Sequence, residues 1–263
     1  MSTSDAGTVR IERRAPVATV WLDRPGRHNV LDRGGWLAVA RAFRELSADD
    51  AVAAVAVRGA GGRAFSAGSD IRTFGDERDT PEDVRRYSAA IASAMAAVSG
   101  CRHPTVAIIE GICVGGGLEI AACCDLRICG ESSRFGAPIH RLGLTMSHDE
   151  LRPLLTLLGP GPVLEILLTG ELIDAERAHA IGLVNRVCPD GSVAAEGAAL
   201  VDRIVAGAPL VNRWHKKFIR RLLAGGTISA EERAEADEAF STRDYQEGRK
   251  AFIGKRPPRF RGE

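Results

Sequence analysis

Hydrophobic and polar residues follow two different periods in the first fifty residues of the chain. Two stretches, Val9–Arg13 and Val17–Leu22, place apolar side chains on alternating faces, which predicts a β-hairpin. After Asp32, a residue suited to cap a helix, the apolar positions recur at helical spacing. The members of this stripe are Trp36, Val39, Ala40, Phe43 and Leu46. The stripe predicts a helix that packs one face against a protein core.

The same alternation of strand and helix signals continues through the middle of the chain. Apolar runs rich in β-branched residues at 53–58 and 106–109 predict buried strands. Thr80, followed by Pro81 and two acids, predicts a helix start, and the charged segment 73–80 before it predicts a mobile surface loop. Strand, helix, strand and helix in this order favour parallel βαβ units.

Beyond Gly191 the pattern is helical only. The predicted helices are 194–206, 210–223 and 229–252. Ser229 and Glu232 have the spacing of a capping box at the start of the third helix. We therefore expect a core domain at 1–191 and a helical C-terminal region at 192–263, rich in Arg and Glu.

Composition limits the class of protein. The 263 residues are 45% hydrophobic and 26% charged, which is typical of a globular enzyme. The formal net charge of +1 supplies no bulk attraction to nucleic acid or to an anionic membrane. No apolar run approaches a membrane-spanning length, and Met1–Thr8 lacks the apolar core of a signal peptide. We expect neither a nucleic-acid nor a membrane partner.

The cysteines predict a reducing compartment. They are Cys101, Cys113, Cys123, Cys124, Cys129 and Cys188. None is paired with another at C-x-x-C spacing, and most lie in apolar stretches, so buried free thiols in the cytoplasm are expected rather than a zinc site or disulfides. The histidines also lack metal-ligand spacing, and no metal is predicted.

The stretch 105–125 carries the first candidate for chemistry. An apolar strand reaches Gly111, three glycines follow at Gly115–Gly117, and a helix then begins with Glu119 in its first turn. Glycine allows a ligand to approach backbone N–H groups, and the helix end adds partial positive charge. This arrangement is typical of an oxyanion hole, in which N–H donors hold a developing negative oxygen.

Of the other interpretations of the glycine run, the nucleotide-binding motifs do not fit and a plain turn stays open. A dinucleotide fold requires G-x-G-x-x-G directly after a strand, and the spacing here differs. The lysine of a phosphate-binding P-loop is also missing. A plain glycine-rich turn remains an alternative, and an acid in a first helical turn is favoured by the helix dipole even without a function.

A second glycine-rich segment, GGRAFSAGSDI at Gly61–Ile71, follows the strand at 53–58, and ICVGGGLEIAACCDLRI begins at Ile112. Together these segments closely resemble the enoyl-CoA hydratase/isomerase (crotonase) superfamily. The resemblance covers nearly the whole chain through four further blocks in order: LDRPGRHNVL at Leu22–Leu31, FGAPIHRLGL at Phe135–Leu144, LTGELIDAERAHAIGLVNRV at Leu168–Val187 and FSTRDYQEGRKAFIGKRPPRF at Phe240–Phe260.

The resemblance implies an α/β fold, a crotonase-like ββα spiral core with a C-terminal helical region that builds a homotrimer or a dimer of trimers. It implies an acyl-CoA thioester substrate, with coenzyme A entering as part of the substrate and no separate cofactor. The N–H groups of Ser69 and Gly116 are then the oxyanion donors. Glu119 matches the first of two hydratase carboxylates, whereas Ile139 stands where the second is expected.

The resemblance also implies residues that contact the substrate. Ala67, Ile71 and Ile139 are expected to border the acyl group. Arg24, Arg27 and Arg72 are basic residues near the predicted mouth of the site, and a solvated surface charge is the alternative for each. Phe252 and Lys255 resemble residues that meet the coenzyme A of a neighbouring subunit.

An enoyl-CoA hydratase of fatty acid metabolism is the simplest function. Ile139 cannot donate a proton, so an isomerase or another enolate-forming enzyme that uses Glu119 alone is the alternative, as is a CoA-thioester binding protein without turnover. Replacements for the missing acid are sought at His140, Ser147, His148 and Asp149. The hydrocarbon of Ile139 is expected to dry the site and raise the pKa of Glu119. The acyl chain and the pathway stay open.

Overall fold

The computed structural model describes residues 8–263. The prediction that the chain starts without a signal peptide therefore lies almost entirely outside the described residues. The strands are β1 (Val9–Arg14), β2 (Val17–Leu22), β3 (Ala54–Gly59), β4 (Ala64–Ser66), β5 (Thr105–Ile109), β6 (Ile112–Val114), β7 (Leu126–Gly130), β8 (Arg134–Gly136), β9 (Ile173–Asp174) and β10 (Arg186–Cys188).

Helices separate the strands and make up most of the C-terminal region. They are α1 (Arg33–Ala48), α2 (Phe74–Glu77), α3 (Pro81–Gly100), α4 (Gly116–Cys123), α5 (His148–Leu158), α6 (Pro160–Thr169), α7 (Ala175–Ala180), α8 (Val193–Val205), α9 (Pro209–Leu223), α10 (Ala230–Ala234) and α11 (Arg243–Ile253). Short 3₁₀ turns connect several of them, including Ile71–Thr73 and Glu235–Ser241.

The strands form two sheets. The larger has the order β1-β2-β3-β5-β7-β10 and is parallel apart from the β1–β2 hairpin. The smaller has the order β4-β6-β8-β9, with only the β8–β9 pair antiparallel. Each successive pair, β3/β4, β5/β6 and β7/β8, adds one strand to each sheet before the chain continues into a helix. The chain therefore winds as the predicted ββα spiral.

Apolar side chains fill the space on both sides of the larger sheet. The main cluster joins the sheets to α1, α3 and α4 and includes Trp36, Phe43, Phe65 and Tyr87. A second cluster covers the other face, where Val193, Leu200 and Val201 of α8 pack on β3, β5 and β7. Burial alternates along β2 with the predicted period of two, and Ala18, Val20 and Leu22 are the residues that point into the core.

The predicted helix starts are confirmed by their caps. The Asp32 side chain accepts a hydrogen bond from the Gly35 N–H at 2.7 Å, and all five residues of the predicted apolar stripe of α1 are buried. Thr80 and Asp83 form a capping box at the start of α3. Tyr87, Ile91, Met95 and Val98 recur at helical spacing along α3 and are buried, whereas Val84 on the same face is exposed.

Two predictions about local structure are wrong. Segment 73–80 is not a loop throughout, because it contains α2, where the Phe74 ring packs edge-on against Tyr87 with centroids 5.9 Å apart. The predicted helix 229–252 is interrupted, because Thr242 adopts an extended conformation and caps α11. In addition, residues 112–114, for which no strand was predicted, form β6 in the smaller sheet.

The structure can be compared with the predictions of free cysteines and of no membrane-spanning segment. All six thiols are free and buried, as predicted. Within the described part of the chain, no helix has both the length and the apolar character needed to cross a bilayer. The division at 191/192 stays a prediction, and α8, just beyond it, packs directly on the larger sheet.

Candidate active site

Two backbone segments meet at the ends of β4 and β6 and form the centre of the site. Gly68 and Gly115 adopt φ angles of +85° and +52°, in the left-handed region that favours glycine. A Cβ on Gly68 would lie 2.6 Å from the Gly116 nitrogen, so the two segments touch backbone to backbone. Among the described residues, no backbone acceptor receives a hydrogen bond from the N–H of Ser69 or of Gly116. Both N–H groups are therefore free to bind an oxygen atom.

Trp36 of α1 supports both donor residues. A Cβ on Gly116 would lie 2.5 Å from the Trp36 ring, so only glycine fits there without displacement. The indole Nε1–H of Trp36 donates to the Ser69 hydroxyl at 3.2 Å. The hydroxyl of Tyr87 in α3 donates to the Leu31 carbonyl at 3.1 Å, and Leu31 pairs with Ser69 in an isolated β-bridge. The Trp36 indole therefore holds the serine hydroxyl.

Glu119 lies one turn into α4 and is 4% exposed. Its backbone N–H donates to the Gly115 carbonyl at 3.1 Å, which fixes it to the glycine segment. Within the described chain, its carboxyl group forms no hydrogen bond and no ion pair. Burial raises the pKa of this carboxyl to about 8. This direction agrees with the prediction, made from the hydrocarbon side chain of Ile139, that the pKa of Glu119 is raised.

Two charged side chains modify the pKa of Glu119 beyond the effect of burial. The carboxylate of Glu150 raises it, and the guanidinium of Arg78 lowers it. Glu150 lies in the first turn of α5, which packs against α4, and it accepts a hydrogen bond from the Ser147 N–H at 2.6 Å. The sequence interpretation did not predict Glu150 or Arg78 as part of the site. The S-x-x-E spacing of Ser147 and Glu150, typical of a capping box, was the available signal for Glu150.

The residues proposed to replace the second acid occupy other positions. Ser147 caps α5 with its hydroxyl, and His148 and Asp149 are exposed in the first turn of that helix. The His140 ring lies against Gly170 at the end of α6, where a Cβ would meet its Cε1 at 2.1 Å. Ile139 packs against the main apolar cluster.

Arg24 and Arg27 approach the donor segment from its outer side. Arg27 donates to Asp70 at 2.8 Å, and Arg24 lies 3.5 Å from the same carboxylate and 3.5 Å from Asp32. Asp70 is almost fully buried and follows Ser69 directly. This ion-pair cluster holds the position of the Ser69 segment, a positioning role that the sequence interpretation did not include. Arg72 is exposed, as is Ile71, and Ala67 is half-buried.

Asn29 supports the same segment from the other side. Its side-chain amide donates to the carbonyls of Ala60 and Ala64, and its own carbonyl accepts from the Ser66 hydroxyl. The Ser66 hydroxyl in turn accepts from the Gly68 N–H at 3.0 Å. Asn29 adopts a φ of +56°, a conformation that asparagine tolerates better than most residues.

The two C-terminal residues that are predicted to contact coenzyme A lie on the surface of the chain. Phe252 is 87% exposed at the end of α11, and Lys255 is exposed just beyond it. Across residues 8–263, no group of three or more His, Cys, Asp or Glu side chains is arranged to hold a metal ion.

Comparison with known proteins identifies the family. The sequence profile described as enoyl-CoA hydratase/isomerase matches residues 12–263. The chain belongs to the enoyl-CoA hydratase/isomerase family. The recognition of this superfamily from the sequence and the prediction of its α/β spiral fold are confirmed.

Individual relatives match this family member over almost their entire length. The crotonyl-CoA hydratase of Syntrophomonas wolfei is 30% identical, with 95% of this chain and 96% of the relative covered. The short-chain-enoyl-CoA hydratase of Clostridium acetobutylicum is 32% identical, with 96% and 97% covered. The crystal structure of an enoyl-CoA hydratase/carnithine racemase from Magnetospirillum magneticum superposes with a TM-score of 0.95 at 43% identity, covering 97% and 96% of the two chains.

Proposed function

We propose that this protein is an acyl-CoA enzyme that stabilises a thioester enolate, and that it hydrates 2-enoyl-CoA thioesters. The observation that carries the proposal is the pair of free N–H groups, of Ser69 and Gly116, on touching segments next to the buried Glu119. Family membership and the hydratases among the relatives support it.

The oxyanion donors supply the first part of the chemistry. When the thioester oxygen accepts both hydrogen bonds, the double bond is polarised and its β-carbon becomes open to attack by water. The same two bonds shorten and strengthen as negative charge moves onto that oxygen in the enolate. Loss of one such donor typically costs about 3 kcal/mol of transition-state stabilisation.

Glu119 supplies the proton transfer. As a carboxylate it takes a proton from the attacking water, and the neutral acid then returns a proton to the α-carbon, so that H and OH are both added across the double bond. Its raised pKa of about 8 makes both forms accessible near neutral pH. We assign no proton transfer to Ile139, whose side chain is hydrocarbon.

Ile139 favours one alternative function. A double-bond isomerase needs a single base to move a proton between two carbons, and Glu119 alone meets that need. We therefore retain isomerisation as the second candidate. A CoA-thioester binding protein without turnover is the third.

Assays with crotonyl-CoA test the proposal. We expect measurable hydration that Glu119→Gln abolishes and Ile139→Glu raises, because the second variant restores a second acid. Turnover of a 3-enoyl-CoA with no hydration would favour the isomerase. Binding of both thioesters with no exchange of solvent deuterium into either would leave only the binding protein.

We further propose how the substrate and its surroundings are arranged. Coenzyme A enters as part of the substrate, without a separate cofactor. Its phosphates meet Arg72, and the coenzyme A also contacts the Phe252 and Lys255 of a neighbouring subunit in a trimer or a dimer of trimers. Arg24 and Arg27 remain predicted contacts, and both already bond Asp70. Six buried free thiols support a reducing cytoplasm as the compartment.

A further inference from the structure

Arg78 is the charged side chain near Glu119 whose hydrogen-bonding capacity is unused. Its Nε is buried without a partner, and within residues 8–263 none of its side-chain nitrogens forms a hydrogen bond or an ion pair. Arg58 and Arg213 also have a buried, unpaired Nε, but each donates through another nitrogen, to Glu110 and to the Val52 carbonyl. A guanidinium has five N–H donors. Arg58 and Arg213 each use at least one of them within the described chain, whereas Arg78 uses none there.

Two aromatic rings hold this guanidinium in place. Its Cζ lies 3.9 Å from the centroid of the Tyr87 ring and 4.2 Å from that of the Phe74 ring. These cation–π contacts fix the plane of the group but satisfy none of its N–H donors. The carboxylate of the preceding residue, Glu77, does not pair with Arg78. It accepts hydrogen bonds from the Arg33 N–H and the Thr73 hydroxyl instead.

The position of Arg78 connects it to the reacting centre from two directions. Tyr87, under the guanidinium, donates to the Leu31 carbonyl, and Leu31 pairs with Ser69 in an isolated β-bridge. The Ser69 N–H is a proposed oxyanion donor. The charge of Arg78 also lowers the pKa of Glu119, so the two side chains are within electrostatic reach. No direct hydrogen bond or ion pair joins them, so Glu119 does not use the N–H donors of Arg78.

We propose that Arg78 binds a carboxylate at the far end of the acyl chain, so that the preferred substrates are CoA monothioesters of 2-enedioic acids. The inference rests on the proposed function, because it names the acyl group that the same site takes. A planar guanidinium with free parallel N–H groups matches a carboxylate in a bidentate arrangement.

The electrostatics of the site are compatible with an anionic acyl group. Burial raises the pKa of Glu119 to about 8, so the protonated form is well populated near neutral pH and its repulsion of a carboxylate is reduced. Glu150 is the remaining acid known to act on Glu119, and the Ser147 N–H binds its carboxylate. Arg78 therefore supplies the positive charge that an incoming carboxylate needs.

Saturated thioesters test binding without turnover. Glutaryl-CoA and pentanoyl-CoA have acyl chains of equal length, and only glutaryl-CoA has a terminal carboxylate. Titration calorimetry of the native protein is expected to give at least tenfold tighter binding of glutaryl-CoA. Arg78→Met should weaken glutaryl-CoA binding by about 10- to 100-fold, the range for a hydrogen-bonded charge, and leave pentanoyl-CoA within about threefold.

Two further variants separate recognition from structure. Arg78→Lys retains the charge but loses the planar pair of donors, so glutaryl-CoA affinity should fall between those of the native protein and Arg78→Met. Arg86→Met is the control, since Arg86 is an exposed arginine of α3 paired with Glu82. It should change neither affinity. Equal affinity of the native protein for the two thioesters would overturn the inference, as would equal losses for both in Arg78→Met.

Kinetics with the matched unsaturated pair, pent-2-enedioyl-CoA and pent-2-enoyl-CoA, distinguish the two proposals. Hydration of the dicarboxylic thioester with the higher kcat/KM, lost selectively in Arg78→Met, supports both. Selective binding of glutaryl-CoA without hydration of either enoyl ester would contradict the proposed function and leave Arg78 recognition standing. Hydration of both esters with equal kcat/KM would contradict Arg78 recognition alone.

Discussion

A carboxyl group surrounded by hydrocarbon holds its proton more tightly than one in water, and Glu119 is such a group. Burial raises its pKa from the ordinary 4.5 to about 8. The folded protein therefore keeps a proton on Glu119 that the unfolded chain releases near pH 4.5. The stability contributed by this neutral form is complete below pH 4.5 and is lost as the pH rises through about 8.

Glu119→Gln should reverse that loss, because glutamine has nearly the same shape and does not ionise. Each unit of pKa shift corresponds to about 1.4 kcal/mol, so we expect the variant to unfold with a free energy roughly 2–5 kcal/mol higher than the native protein at pH 9. Little difference is expected at pH 5. Urea unfolding at the two pH values measures this, with the exposed Glu131→Gln as the control. An equal effect at both values would contradict the prediction.

Glu150 tests the electrostatic part of the same pKa. Its charge raises the pKa of Glu119, so Glu150→Gln should shift the pH dependence of turnover to lower pH. Glutamine also accepts a hydrogen bond from the Ser147 N–H in a capping box, so α5 should keep its start. Asp149→Asn, one residue earlier and exposed, is the control. An unchanged pH profile would show that Glu150 has no measurable effect on Glu119.

At the scale of elements, the sequence predicts the regular parts well because each has a local cause. Asp32 and Thr80 start helices through their own side-chain hydrogen bonds, and the β1–β2 hairpin follows from alternation. The short strand β6 escaped prediction because its three residues pair only with strands distant in sequence. Helix α2 escaped because its stability comes from the packing of Phe74 on Tyr87.

The site follows the same division between local and tertiary causes. Glu119 and the glycines are visible in the sequence because their motifs are local. Arg78 was not found, since a charged residue in a charged segment resembles any surface arginine until the fold brings Tyr87 beneath it. Trp36 was correctly assigned to the core, but its contact with Gly116 depends on the packing of α1 against a loop eighty residues away.

The two donor segments should differ in their tolerance of substitution. Ser69→Ala retains the backbone N–H and loses only the hydrogen bond from Trp36 to the hydroxyl, so most activity should remain and stability should fall by about 1 kcal/mol. Gly116→Ala places a Cβ 2.5 Å from Trp36, which must displace the segment. We expect at least a hundredfold loss of turnover, measured as kcat/KM for crotonyl-CoA. Comparable losses in the two variants would mean that the Ser69 hydroxyl takes part in the chemistry.

At the scale of the whole molecule, apolar surface is concentrated on the C-terminal helices. The exposed members on α9, α11 and the turn between them are Ile219, Leu222, Leu223, Phe240, Tyr245, Phe252 and Ile253. Exposed apolar side chains in such number are typical of an interaction surface. The pattern supports the proposed assembly of several copies of the chain.

The assembly is predicted to be a trimer or a dimer of trimers. Light scattering coupled to size exclusion should give three or six times the 28.0-kDa chain at micromolar concentration. A double variant, Leu222→Asp with Leu223→Asp, buries charge in that interface and should shift the mass toward the monomer. Arg233→Asp, on the polar surface of α10, should leave the mass unchanged. If Phe252 meets the coenzyme A of a neighbour, dissociation should also raise the Kd for CoA thioesters, whereas a native monomer that binds them normally would contradict both parts.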